Sequence, residues 1–393
     1  MRVLAIDVGT GTQDILLFDS RHEIENCVRL VLPSPTVQVA ERIRRATRAR
    51  WQVVLTGSTM GGGPSHWAAR DHAAAGLPIF ATADAARTFD DDLAAVEAMG
   101  IHVVDHTEAA RRAEWTNTDL IRLGDIGLDE VAAALAPLGV VLSDVDALAL
   151  AVFDHGAAPP GTSDRRFRFE RLAERLEQEP ETGPAAFAFL AADLPPAFTR
   201  LQAAARAGRA WLGESSAPLL LMDTAPAAAL GLLDDTLVRE TLAAGRPLIV
   251  VNVGNFHVFG LRLAPAPGSP TGCRIEALFE HHTGELDAER LAGMVARLAD
   301  GSLTNEDVFE SMGHGALRLT PPRTDAPALL AVTGPRRAML AGRDVPGLGR
   351  PHLAAPHGDM MQTGPFGLLR ALAVRRPDLA DTIAERLGPA AAA

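Results

Sequence analysis

The chain has 393 residues, of which 47% are hydrophobic and 22% charged, enough for two domains with sizeable cores. A formal net charge of −12 excludes nucleic acid and anionic membrane as main partners, while leaving room for a small phosphorylated ligand held by local N–H donors. Cys27 and Cys273, alone in the sequence, exclude a disulfide framework and an iron–sulfur cluster.

The first informative stretch is LAIDVGTGTQDILLFD, residues 4–19. Two short apolar runs, residues 3–6 and 15–18, flank a polar knot and predict a β-hairpin. In the knot, Gly9 and Gly11 let successive N–H groups face one concave side, and Thr10 and Thr12 add hydroxyls. Such a turn binds an anion, typically phosphate. Asp7, closing the first strand, is placed to face a phosphate-bound Mg²⁺ through waters. A dinucleotide fingerprint is excluded because its third glycine is missing and a strand, not a helix, follows. A P-loop needs a lysine, and the sequence has none.

Further along, residues 27–32 predict a third strand and 37–50 a helix. A strand over 51–55 opens onto the small-residue loop 56–63, the position where α/β sheets hold ligands. Helices over 66–76 and 90–99 alternate with strands over 77–82 and 101–104, so the order reads βββαβαβ. A helix over 128–138, a strand over 147–153 and a helix after Arg168 follow. Residues 177–196, rich in Pro, Glu and Ala, read as a surface connection. A helix over 198–207, a strand over 219–222 and a helix over 238–244 complete this half.

The second half repeats the opening. A strand over 248–253, a tight turn at Gly254-Asn255 and a strand over 256–263 echo the first hairpin, so that Asn252-Val253-Gly254-Asn255 parallels Asp7-Val8-Gly9-Thr10. A third strand over 276–279, a helix over 287–299, and a strand over 328–333 opening onto Gly334-Pro335 follow. Helices over 367–374 and 378–387 precede a tail expected to fray. The start leads straight into a strand without a signal-peptide pattern, and no apolar run reaches membrane-span length, so a cytoplasmic location is expected.

Two glycine hairpins, each opening a βββα-like unit, resemble the actin-like ATPase superfamily of sugar kinases, Hsp70 chaperones and actin. The resemblance implies an α/β protein of two RNase-H-like domains, residues 1–245 with helical insertions and 246–393, around an interdomain cleft. It implies ATP and Mg²⁺, with Asp7, Gly9, Thr10, Gly11 and Thr12 in the first phosphate motif. Asn252, Gly254, Asn255 and His257 fall in the second, and Gly334 in the adenosine-side loop. The second motif usually carries an aspartate where this chain has Asn252, which hydrogen-bonds but adds no negative charge. The segments AVFDHG, VNVGNFH, EHHTG, GHG and HGDMMQTGPFG further resemble the domain of unknown function 1786 family. Its members are often described as pyruvate formate-lyase activating enzymes. That chemistry needs three closely spaced cysteines, which Cys27 and Cys273 do not supply.

Phosphoryl transfer needs a base near the attacking group. Asp154, ending an apolar strand beside His155, is the preferred candidate; Asp359 is the alternative and Asp223 a third. An aspartate at a strand end also serves as a helix cap or turn former. The histidines of interest in the second half are His257, His281, His282, His314 and His357. Of the adjacent His281 and His282, strand alternation allows only one into a given site. None of these shows a helical metal spacing, and the sharper reading is that His257 meets His155, His314 or His357 across the cleft. Arg336 and Arg337 read as solvated helix-start arginines. The expected function is an ATP-binding protein, as a small-molecule kinase or ATPase acting by domain closure. The alternatives are a non-catalytic nucleotide or phospholigand switch, and a metal-dependent hydrolase using the histidines. Expected partners are a nucleotide and an unidentified small-molecule substrate, with a homodimer as an option.

Overall fold

Short blocks of aliphatic and β-branched residues form strands, and these assemble into three sheets. The structure, a computed structural model, describes residues 1–142, 144–159, 161–320 and 327–388. The tail from residue 389, expected to fray, lies outside the described residues.

In chain order the strands are β1 (Arg2–Val8), β2 (Thr12–Asp19), β3 (Val28–Pro33), β4 (Gln52–Gly57), β5 (Ile79–Thr82) and β6 (His102–Val104). Next come β7 (Thr118–Leu123), β8 (Ala147–Val152), β9 (Ala188–Leu190), β10 (Leu219–Met222) and β11 (Leu248–Val253). The last are β12 (His257–Pro265), β13 (Cys273–His282), β14 (Gly315–Arg318), β15 (Leu330–Thr333) and β16 (His352–Leu353). The first sheet has the order β3-β2-β1-β8-β10-β9 and the last β14-β13-β12-β11-β15-β16.

Strip one edge strand from each, and the two sheets correspond strand for strand. An antiparallel three-strand meander, β1-β2-β3 or β11-β12-β13, is followed by two strands parallel to its first. The repeat predicted from two glycine hairpins is therefore present in the hydrogen-bond topology.

Burial follows from the side-chain period of two. On β1, Val3 and Ala5 enter one core, and Leu4, Ile6 and Val8 enter another. On β11, Leu248 and Val250 join the same core as Val3 and Ala5, while Ile249, Val251 and Val253 face a separate one. The shared core thus lies between the first and last sheets. It is filled by the helices Thr224–Gly231 and Thr363–Arg375, which cross at glycine: a Cβ on Gly231 would strike the Thr363 carbonyl, and one on Gly367 the Ala227 carbonyl. The helix Thr224–Gly231 escapes a sequence reading because all but its first residue are buried, which leaves no amphipathic period.

Two expectations are corrected. The run read as βββαβαβ within one RNase-H-like domain does not make one sheet: β4 to β7 form a parallel sheet of their own, in the order β6-β5-β4-β7, over a separate core. Its edge strand β7 was not foreseen, because Asp119 and Arg122 interrupt its apolar signal. Nor is 177–196 a surface connection. The turn Gly183–Phe187 is wholly buried and leads into β9, its alanines supplying small core residues. Among the described residues, no helix is long and apolar enough to cross a membrane.

Candidate functional site

Both glycine turns close the same way. Gly9 N–H donates to the Thr12 carbonyl at 2.9 Å, and Gly254 N–H to the His257 carbonyl at 2.9 Å. Below them, Asp7 pairs with Asp14 across one hairpin, and Asn252 with Phe259 across the other. The turns approach so closely that a Cβ on Gly11 would run into the Asn255 amide. Beside them lies a cavity of about 340 Å³, closed on its other sides by the loop after β4, the residues after β8 and the start of the helix Thr199–Leu212.

Of the residues expected at the site, Gly9, Thr10, Asp154, His155, Asn252, Gly254, Asn255 and His257 line this cavity. Asp7, Gly11, Thr12, Gly334 and Asp359 do not. Gly334 sits behind the second turn, against Asn252 Oδ1 and the Val253 carbonyl, at φ 95°. Asp359 caps a turn through Met361 N–H and lies 3.9 Å from Arg29. Arg336 is exposed, and Arg337 donates to the Ala354 carbonyl.

Asp7 and Asp14 form a buried acidic pair beneath the first turn. Each has an Oδ1 without a hydrogen-bond partner. Asp7 packs against the N-terminal turn of Thr363–Arg375, where a Cβ on Gly364 would overlap its Oδ2. Burial pushes Asp7 up to about 7, opposed by a hydrogen bond from Thr224. Asp14 is pushed up to about 8, first by burial and then by the charge on Asp7. Thr224, unlike Asp7, does line the cavity.

The three aspartates considered as bases are otherwise engaged. Asp154 Oδ1 accepts from Gly156 N–H and Oδ2 from Leu201 N–H, both at 2.8 Å. Its carboxylate therefore fixes the loop after β8 to the helix Thr199–Leu212. Burial raises it to about 6 despite those two bonds. Asp223 caps Thr224–Gly231 through Ala225 N–H and receives Arg168. Asp359 is outside the cavity.

Two arginines missed by sequence reasoning organise this region. Arg168, from the helix Asp164–Gln178, spends all its N–H groups on Glu280, Asp223 and the Asp154 carbonyl, and stacks at 3.8 Å on the Phe153 ring. Arg200 grips Asp125 at 2.7 and 2.8 Å and donates to the Phe153 carbonyl, while Asp125 also accepts Gly61 N–H. In sequence both are unremarkable helix arginines; only the fold shows that each faces a carboxylate.

The histidines do converge, in part. His155, His257 and His314 bring ring nitrogens within 4.8 Å of one another. His257 lies flat on Phe153, with centroids 3.9 Å apart and planes 6° from parallel. His282 closes the group at 4.7 Å from His314 and 5.0 Å from His257, between ring centroids. His281 points away, to Ser311, as strand alternation requires. His357 stands apart, beside Asp234 and Phe366. Burial, reinforced by neighbouring imidazoles, holds His155 and His257 well below the ordinary histidine range. His314 is also strongly lowered, by burial and then by Arg168. Cys27 and Cys273 are free and buried, their thiols raised by burial.

Fold and site together define an α/β protein with a repeated sheet topology and a ligand-sized cavity beside paired glycine turns. The family model described as "Putative pyruvate format-lyase activating enzyme (DUF1786)" matches residues 60–339, more than two thirds of the chain. The chain belongs to this family. The matched span includes AVFDHG, VNVGNFH, EHHTG and GHG, whose residues Asp154, Asn252, Glu280 and His314 meet around the cavity and its histidines. No curated protein matches the sequence. A solved crystal structure of an exopolyphosphatase-like protein is similar at 11% identity, over 99% of this chain and 91% of that one, with a TM-score of 0.28.

Proposed function

We propose that this protein binds a nucleotide, ATP in the first instance, through its two glycine turns, as a member of the actin-like ATPase superfamily. Its two domains would be residues 1–245 and 246–393. The observation that carries this reading is the matched closure of Gly9 on Thr12 and Gly254 on His257, side by side at one cavity. Backbone N–H groups at such turns, with Thr10 and Asn255 beside them, suit the oxygens of a polyphosphate. The resemblance also implies Mg²⁺. The unpartnered Oδ1 atoms of Asp7 and Asp14 suit a hard cation. Bound there, the ion would neutralise phosphate charge.

Small-molecule kinase or ATPase activity is the finer form of this reading. It is weakened by Asn252, which adds no charge, and by the engagement of Asp154 and Asp223. Those observations favour a nucleotide or phospholigand switch over phosphoryl transfer. The radical chemistry in the family's description is not proposed, because two buried cysteines, Cys27 and Cys273, do not make a cluster site.

Isothermal titration with ATP and ADP, with and without Mg²⁺, tests the reading. Saturable ATP binding, strengthened by Mg²⁺ and competed by tripolyphosphate, is expected. No heat with any nucleotide at millimolar concentration would overturn it. Binding without turnover across a panel of small alcohols and acids would select the switch.

A further inference from the structure

We infer that His155, His257 and His314 form a binding site for one divalent transition-metal ion of the zinc class, with its open coordination position facing the cavity. Three neutral imidazoles without a thiolate are a donor set for Zn²⁺ and its neighbours, not for Mg²⁺ or Ca²⁺, which take oxygen.

The first observation is proximity. The donor nitrogens lie within 4.8 Å of one another. A tetrahedral ion with bonds of about 2.1 Å wants them roughly 3.4 Å apart, a gap that small rotations of the rings close. The second is an unmet need. His314 is 1% exposed, yet neither of its ring nitrogens has a hydrogen-bond partner, and buried His257 Nε2 lacks one too. Buried polar atoms are ordinarily satisfied, and a metal would take one nitrogen of His314 and Nε2 of His257.

The surroundings fit the same ion. Glu280 Oε2 stands 3.8 Å from His314 Nδ1, placed to orient that ring when the other nitrogen binds metal. Phe153, held from below by Arg168, fixes the plane of His257. Three arginines stand nearby, Arg165, Arg168 and Arg200, and the four carboxylates of Asp125, Asp154, Asp223 and Glu280 offset their charge. His155 and His257 line the cavity and His314 does not, which leaves the remaining position for water or an anionic ligand oxygen. His155 comes from the loop after β8 and the other two from around the last sheet, so the ion would tie the two repeats together. His282 is the nearest additional imidazole and would stabilise a fourth contact or the outer shell.

The test is a metal titration of the full chain after chelation and dialysis, without nucleotide, so that failure of the nucleotide reading leaves this result readable. Cobalt(II) is expected to give the intense visible absorption of a tetrahedral nitrogen site, saturating at one equivalent per chain and displaced by Zn²⁺. His155→Gln and His257→Gln should each weaken Zn²⁺ binding by about tenfold or more in competition with a chromophoric chelator, while exposed His106→Ala should leave it unchanged. Circular dichroism confirms that each variant is folded, and the asparagine variant at the same position replaces either glutamine variant that is not. Absence of stoichiometric Zn²⁺ or Co²⁺ binding, or binding indifferent to both glutamine variants, overturns the site.

Discussion

Replacing Arg168 with methionine should destabilise the protein more than almost any other single change. Arg168 is 1% exposed, and its guanidinium donates at 2.6 and 2.8 Å to Glu280, at 2.7 and 3.2 Å to Asp223, and at 2.6 Å to the Asp154 carbonyl. Every N–H of the fork is used. Methionine fills much of the volume but strands Glu280, itself 0% exposed, and removes a main partner of Asp223. Breaking a buried pair by deleting one partner costs about 3–5 kcal/mol, most of it the price of the abandoned charge. Urea unfolding at pH 7, read by circular dichroism, should show a loss of that size. Arg168→Lys keeps the charge but supplies fewer donors without the fork, and should fall between. The decisive comparison is the double variant Arg168→Met/Glu280→Gln. Removing the stranded carboxylate should recover about 1–2 kcal/mol relative to Arg168→Met alone. An Arg168→Met loss below about 1 kcal/mol, or a double variant as unstable as the sum of the singles, would refute the argument.

Asp14→Asn addresses the buried acidic pair. Asp14 has a folded value of about 8 against an ordinary 3.8, so the stability it contributes is present below pH 4 and lost as pH rises towards 8. The variant should flatten the unfolding free energy of the nucleotide-free protein between pH 5 and 8 by up to about 1.4 kcal/mol per pH unit; an unchanged slope would count against the pair. The lowered histidines act in the opposite sense: their contribution is present above the ordinary value of 6.5 and lost on acidification, so His314→Asn should soften the acid limb of the same urea series. Gly11→Val forces the Asn255 amide away from the first turn and should weaken ATP by about tenfold or more, roughly 1.4 kcal/mol, with titration calorimetry as the check. Asp154→Ala leaves the N–H groups of Gly156 and Leu201 without their acceptor and should cost about 1–3 kcal/mol in urea unfolding, whatever it does to activity.

What could be read from the sequence was what is encoded locally. A glycine turn between two short apolar runs fixes its own hydrogen bond, so Gly9 and Gly254 were legible, as was the correspondence of Asp7 with Asn252. The alternation of His281 and His282 follows from strand geometry alone, and it correctly separates the two rings. The inserted sheet was less legible: its strands carry apolar runs, but no local signal says which sheet a strand joins. Thr118–Leu123 carried too little apolar character even to be seen.

The role of Asp154 shows where such reading ends. Its place after an apolar strand, beside His155, suits a base, a turn former and a helix clamp equally well. What decides among them is the pair of N–H groups from Gly156 and Leu201, and the second lies 47 residues away on a different helix. The same holds for His314. In sequence it is a lone histidine between glycines; in the fold it is a buried ring with two idle nitrogens, beside Glu280 and facing His155 and His257. Chemistry that depends on one residue and its turn is visible in a chain. Chemistry that depends on which groups are left unsatisfied after folding is not, because satisfaction is a property of the packed whole. For that reason the histidines, the least specific of the sequence signals, become the most specific of the structural ones.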